Sequence, residues 1–173
     1  MDLLDRLLEH DAWTTRQLLL RCQGLTEEQL DRDCDMSHRS VRATLLHLIR
    51  NMEVWSDLMA AKTMRENPGL LPGGRSVSGL IDRLDRAASE LATVAHAVAQ
   101  RNGWDEEWLD TLDEPPTRKT FGGSIAHVIT HSMHHRAQLI HMLRRIGVED
   151  LPEGDVLSWE NRCESPDPKA KRL

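Results

Sequence analysis

Tyrosine is absent from this chain and phenylalanine occurs once, so the aromatic residues that favour pleated sheets are scarce. Few runs alternate with period two, and an all-β architecture is excluded on both counts. Cysteine is scarce as well. Cys22, Cys34 and Cys163 are odd in number and form no CxxC pair, which fits reduced thiols better than a disulfide frame and favours a bland role for each over a reactive or ligating one. No apolar run reaches the roughly eighteen residues that a membrane-spanning helix needs, so no membrane partner is expected. Positive charge in excess is missing too. With 22 Lys and Arg against 28 Asp and Glu, the formal net charge is −6, and the basic residues are interspersed with acids, which argues against nucleic acid as a partner. The opening MDLLDRLLEHDAW lacks the basic-then-apolar order of a secretory leader, and a cytoplasmic location is expected.

What remains is a composition of 39% hydrophobic and 29% charged residues over 173 positions, ordinary for a globular protein and long enough to bury a core in one domain. Helix signals dominate. A first helix is expected over residues 2–22, with Leu3, Leu4, Leu7, Leu8 and Leu18 among its apolar positions and Gly24 as its stop. Thr26 and Gln29 form a capping-box pattern that opens a short helix, EEQLDR. Ser40 caps a second long helix, VRATLLHLIRNMEVWSDLMAAK, which gives way to a proline- and glycine-rich loop over 66–75. Ser76 caps a third helix running to about Gln100, with Asn102-Gly103 as its stop. Residues 104–120 make a long connection with irregular or short extended structure, and a fourth helix runs from about Gly123 to Gly147. Four helices of about 20–25 residues span roughly 30–37 Å each, the size of a four-helix bundle, so the fold expected is all-α. The bundle domain is placed at 1–150. A tail over 151–173, acidic and then basic, has Trp159 as its only large anchor.

The chemistry sits in the segment His127–His141, HVITHSMHHRAQLIH, which carries five of the nine histidines. On a wheel of about 100° per residue with Ile125 at zero, Ile125, Val128, Ile129, Leu139, Ile140, Leu143 and Ile146 fill an arc from about 300° to about 60°. That arc is the core face. His135 at about 280° and His131 at about 240° flank it, whereas His127, His134 and His141 fall between about 160° and 200°, away from the core. His131 and His135, four residues apart, stack one turn above each other and can share a cation through neutral imidazole nitrogens.

A third ligand comes from the second helix. Val41, Leu45, Leu48, Met52, Trp55 and Met59 define its apolar stripe, and His47 sits to the side of it, at a position that reaches a cleft between helices. Three protein ligands, His47, His131 and His135, leave a divalent ion with open positions, the pattern of catalytic rather than structural sites. His10, His38 and His96 read as surface or satisfied histidines, with His10 in reserve because the first helix must also pack. Glu53 lies about 120° from His47 around the same helix, which makes it a poor partner for the same ion and a residue of the solvated face. His10 and Asp11 remain candidates for supporting groups around the site, and no catalytic residue is identified.

The stretch HVITHSMHHRAQLIHMLRRIG resembles the fourth-helix signature of the DinB-like metalloprotein family, an H-x-x-x-H-R-x-Q pattern followed by hydrophobics, LR and Gly. SVRATLLHLIRNMEVW resembles the helix that carries that family's first histidine, and GLTEEQLDRD and Trp13 also fit, so the resemblance covers about residues 1–147. It implies a four-helix bundle with one long crossover connection, commonly a homodimer, that binds nickel, zinc or a similar divalent ion such as manganese or iron through His47, His131 and His135. Arg136 and Gln138 match the motif, and both read as surface hydrogen-bonding or dimer-packing residues. His134 departs from the family pattern. Relatives of this kind look like thiol-dependent S-transferases and isomerases or metal-dependent hydrolases. The resemblance therefore implies a small-molecule substrate, with a low-molecular-weight thiol as candidate cosubstrate. The alternatives kept open are a non-catalytic metal-binding stress protein on the same bundle and a helical interaction module without metal.

Overall fold

A computed structural model of the chain describes residues 1–36, 38–67 and 74–163, the side chains of Arg162 and Cys163 excepted. Most of the expected loop over 66–75 and the far end of the tail lie outside the described residues. The elements in order are α1 (Leu3–Cys22), α2 (Glu27–Asp31), α3 (Val41–Met59), α4 (Val77–Gln100), β1 (Glu107–Asp110), β2 (Thr117–Thr120), α5 (Phe121–Arg145) and α6 (Val156–Cys163). The chain is predominantly helical, and none of its described helices is long and apolar enough to cross a membrane.

Each long helix begins where a short polar side chain can take up an orphan backbone N–H. Asp2 and Asp5 cap α1 reciprocally, Thr26 and Gln29 do the same for α2, and Ser40 and Ser76 cap α3 and α4. Helix α5 starts two residues before the expected Gly123, because the Thr120 hydroxyl accepts from the Gly123 N–H and so serves as the cap.

The C-terminal ends follow left-handed residues. Gly147 (φ 88°) and Asn102 (φ 52°) close α5 and α4, with Val148 N–H donating to Leu143 O at 3.0 Å and Gly103 N–H to Val98 O at 2.9 Å. Ala61 (φ 51°) closes α3 in the same way, with Lys62 N–H on Asp57 O at 2.9 Å, so that helix stops three residues before the expected Lys62. Gly24, expected as the stop of α1, has no left-handed backbone; α1 ends at Gln23 in ordinary helical geometry.

The four long helices share one core. Helix α3 packs on α4 and α5, and α1 packs on the same two, so α1 and α3 face each other across the centre. Leu18 and Leu19 of α1, Leu45, Leu48 and Met52 of α3, Leu84 of α4 and Leu139 and Leu143 of α5 are all fully buried. Burying side chains of this kind stabilises by about 1.5–3 kcal/mol each, which makes this layer the dominant favourable contribution to the fold.

The connection between α4 and α5 folds into a two-stranded antiparallel hairpin, in which Glu107 pairs with Thr120 and Asp110 with Thr117. Trp108 turns inward, donates its indole N–H to Ser124 Oγ at 3.0 Å and meets Trp55 edge-on at 5.8 Å between ring centroids. Helix α6 packs against α1 through the buried Trp159, whose ring lies 6.1 Å from that of His10. The His10 Nε2–H donates to Gly154 O at 2.9 Å, and burial, followed by the Arg136 charge, lowers the His10 pKa.

Candidate metal centre

Helices α3 and α5 pack side by side, and their flank histidines meet in the seam between them. His47 Nε2 lies 2.9 Å from His131 Nε2, and His135 Nε2 lies 3.0 Å from the same atom. The three expected residues thus come together through the same ring nitrogen. His135 is buried, and His47 and His131 are half-buried.

Hydrogen bonding around His135 fixes which nitrogen is free. The Gln138 side-chain amide donates to His134 Nε2 at 3.0 Å, and its oxygen therefore accepts from His135 Nδ1–H at 2.9 Å. His135 Nε2 is then a bare lone pair 3.0 Å from His131 Nε2. His131 Nε2 can carry at most one hydrogen, so at most one of the two close nitrogen contacts is a well-aligned hydrogen bond. A shared cation satisfies all three lone pairs at once. Metal–imidazole bonds of about 2.1 Å separate neighbouring donors by about 3.0–3.4 Å, and the two contacts to His131 Nε2, at 2.9 and 3.0 Å, lie at that lower bound. The donor set fits a divalent ion.

Electrostatics keeps these rings in the ligating form. Burial first, and then the neighbouring imidazoles, lower the pKa of both His47 and His131 to about 4. His135 is lowered as well, with burial as the main cause and the Gln138 bond opposing it. All three are neutral at physiological pH, as ligation requires.

Of the remaining histidines, His127, His134 and His141 are exposed, as the wheel indicated. His96 Nε2 bonds Asp5 at 2.9 Å. His38, expected as a surface or satisfied histidine, borders the cluster instead: its ring stacks on His47 with centroids 3.9 Å apart, and one nitrogen each of His38, His47 and His135 lie within 4.8 Å of one another. His131 stands outside that triad and meets two of its members one at a time, His47 at 2.9 Å and His135 at 3.0 Å, so four imidazoles border one spot. His38 stands in a turn, where no periodicity points to a partner.

Two further readings of the residues need correction. Glu53 is buried rather than solvated: its carboxylate accepts from Arg83 Nε at 3.0 Å and Nη2 at 2.9 Å, across the contact between α3 and α4. Arg136 is not a surface residue either. It is 2% exposed and pairs through Nη1 with the Asp11 carboxylate on α1. Burial pushes the Asp11 carboxyl up, while the guanidinium against it pulls down. A signal for this pair was available, since Arg136 falls at about 20° on the wheel, inside the apolar arc, where a charge requires a buried counter-charge. Cys22 and Cys34 are free and buried, and burial drives the Cys22 thiol up to about 12, which removes it from thiolate chemistry at neutral pH. The Cys163 side chain lies outside what is described.

Beside the cluster is a pocket of about 360 Å³ lined by Trp55, Lys119, Thr120, Gly123, Ser124 and His127. His127 joins it to the cluster, with its ring 5.1 Å from Trp55 and 5.2 Å from His131. Lys119 Nζ lies 5.0 Å over the Trp55 ring and is paired with Asp110.

A family model described as the DinB family matches residues 1–160 of the chain. No curated protein matches it.

Proposed function

The chain belongs to the DinB family, and on that premise we propose that it is a divalent-metal-dependent enzyme acting on a small molecule. In this reading His47, His131 and His135 hold the ion, nickel or zinc before manganese or iron, on a four-helix bundle with a long crossover. The convergence of three Nε2 atoms at 2.9 and 3.0 Å, one of them fixed as a bare lone pair by Gln138, is the observation that carries the proposal. Three protein ligands leave coordination positions for a reactant, and a bound divalent ion supplies Lewis acidity there.

The chain's own residues account for the rest. Gln138 orients His135, and the packing of α3 on α5 holds His47 against the other pair. The pocket between Trp55, Lys119 and His127 has the volume and the apolar wall that a small substrate needs next to the ion. A low-molecular-weight thiol with an electrophilic acceptor, or a hydrolysable ester or amide, is the substrate class this arrangement serves. The protein works in this reading as a homodimer, away from membranes and nucleic acid.

The test is metal analysis of protein purified without a histidine tag, followed by assays of the loaded protein. We expect about one equivalent of nickel or zinc per chain, lost in His131→Ala and in the pair His47→Ala with His135→Ala. If those variants keep the metal, the site is wrong. If the native protein loads metal but is inactive with thiol–electrophile pairs and with ester and amide panels, the enzymatic part of the proposal falls and a metal-binding protein remains.

A further inference from the structure

His38 is the imidazole of this cluster that the three-ligand arrangement leaves unused. It sits in the turn between α2 and α3, half-buried, against two of the three rings: 3.9 Å from His47 with an interplanar angle of 24°, and 5.0 Å from His135. Among the described residues its ring nitrogens have no hydrogen-bond partner, and its ring contacts are with these two imidazoles. Backbone hydrogen bonds flank His38. Cys34 N–H donates to Arg39 O and Arg39 N–H to Met36 O, both at 2.6 Å, and Ser40 N–H donates to His38 O at 2.8 Å.

Both ligand-bearing helices tether the turn. Ser40 is the cap of α3, and Arg145 at the end of α5 donates to Cys34 O at 2.9 Å. Asp35 (φ 52°) and Arg39 (φ 65°) adopt the left-handed region on either side of His38. For a long side chain such as Arg39 that conformation is disfavoured and persists only where the surroundings impose it. Arg39, which follows His38, thus holds a backbone conformation against its local preference.

We propose that His38 is a fourth, exchangeable ligand for the cation held by His47, His131 and His135, an inference that rests on that three-imidazole reading. Donors bound to one four-coordinate ion at about 2.1 Å lie roughly 3.0–3.4 Å apart. A His38 nitrogen already lies within 4.8 Å of one on His47 and one on His135, so rotation of the side chain and a shift of roughly 1–2 Å bring it into the coordination sphere. Ligation requires His38 to leave the present stacking, because two nearly parallel rings 3.9 Å apart do not converge their in-plane lone pairs on one point.

The two arrangements are therefore alternatives. With His38 in, four imidazole nitrogens close a tetrahedral set. With His38 stacked on His47, a position is free for a thiolate or oxygen donor of the substrate. The chain carries its own stand-in for substrate on the turn that borders the site.

The experiment compares the full-length, untagged native protein with His38→Ala, His38→Phe and His131→Ala. Zinc affinity is measured by competition with a chromophoric chelator, and coordination number by the visible absorption of the cobalt-substituted protein. Phenylalanine keeps a flat ring to stack on His47 and has no donor. We expect both His38 variants to weaken zinc by about 10- to 100-fold and to lose the intense cobalt bands of a four-coordinate site, with free imidazole restoring them in His38→Ala. Native-like zinc affinity and cobalt spectrum in His38→Phe would mean that His38 only packs, and the proposal would be overturned. Native-like zinc binding in His131→Ala would instead sink the three-imidazole reading on which it rests.

Discussion

Replacing Asp11 with alanine tests how firmly the helix that carries His131 and His135 is held. Arg136 follows His135 directly, is 2% exposed, and has Asp11, also 2% exposed, as its ion-pair partner. Arginine does not deprotonate in a protein, so the variant leaves a guanidinium in the core with no counter-charge. Its Nε and Nη2 already have no hydrogen-bond partner, and Nη1 would keep only the Asp11 backbone oxygen at 3.5 Å. Breaking a buried pair from one side costs about 3–5 kcal/mol. For a domain of this size each kcal/mol lowers Tm by about 2–4 °C, so a drop of roughly 6–20 °C is expected. Urea titration and thermal melts followed by circular dichroism read it directly. The double variant Asp11→Leu with Arg136→Met removes both charges and fills the space, and it should recover most of the loss or exceed native stability. Its zinc affinity should stay native, since no ligand is touched. A loss under about 1 kcal/mol in Asp11→Ala, or a double variant no better than the single, would refute the claim that this pair is a buried, mutually dependent contact.

Two other outcomes follow from the site. Gln138→Leu removes the acceptor that holds His135 in its Nδ1–H tautomer; it should weaken zinc by about 10- to 100-fold with little change in Tm of the metal-free protein, and unchanged affinity would show that Gln138 does not orient the ligand. The metal-free protein should lose stability as pH falls from about 6.5 towards 4, because unfolded histidine takes up protons near 6.5 while His47 and His131, lowered to about 4, do not, so acid favours the unfolded chain. Stability is full above 6.5, and a urea midpoint that stays flat from pH 7 to pH 4.5 would contradict the burial of these rings.

Helical periodicity made three of the four clustered imidazoles legible, because a wheel records the direction in which a side chain leaves its helix, and the seam between α3 and α5 lies in the direction of His47, His131 and His135. It recorded nothing about what stands opposite. Glu53 does leave α3 well away from His47, yet that side meets Arg83 on α4 and not water, so the angle was right and the inference of a solvated face was wrong. Helix ends show the same division. Gly147 and Asn102 mark left-handed stops because a glycine without Cβ and an asparagine with its short polar side chain tolerate that backbone, whereas Ala61 adopts it with no residue-type signal and shortens α3 unannounced. His38 is the extreme case. Its place depends on two left-handed residues, a cap and an arginine more than a hundred positions away, and none of these is periodic. A charge inside an apolar arc is the one signal of this kind that a single sequence does carry. Asp11 stands seven residues from Leu4 and from Leu18 along α1, and Arg136 stands among Ile129, Leu139 and Leu143, so each asks for a partner that the other supplies.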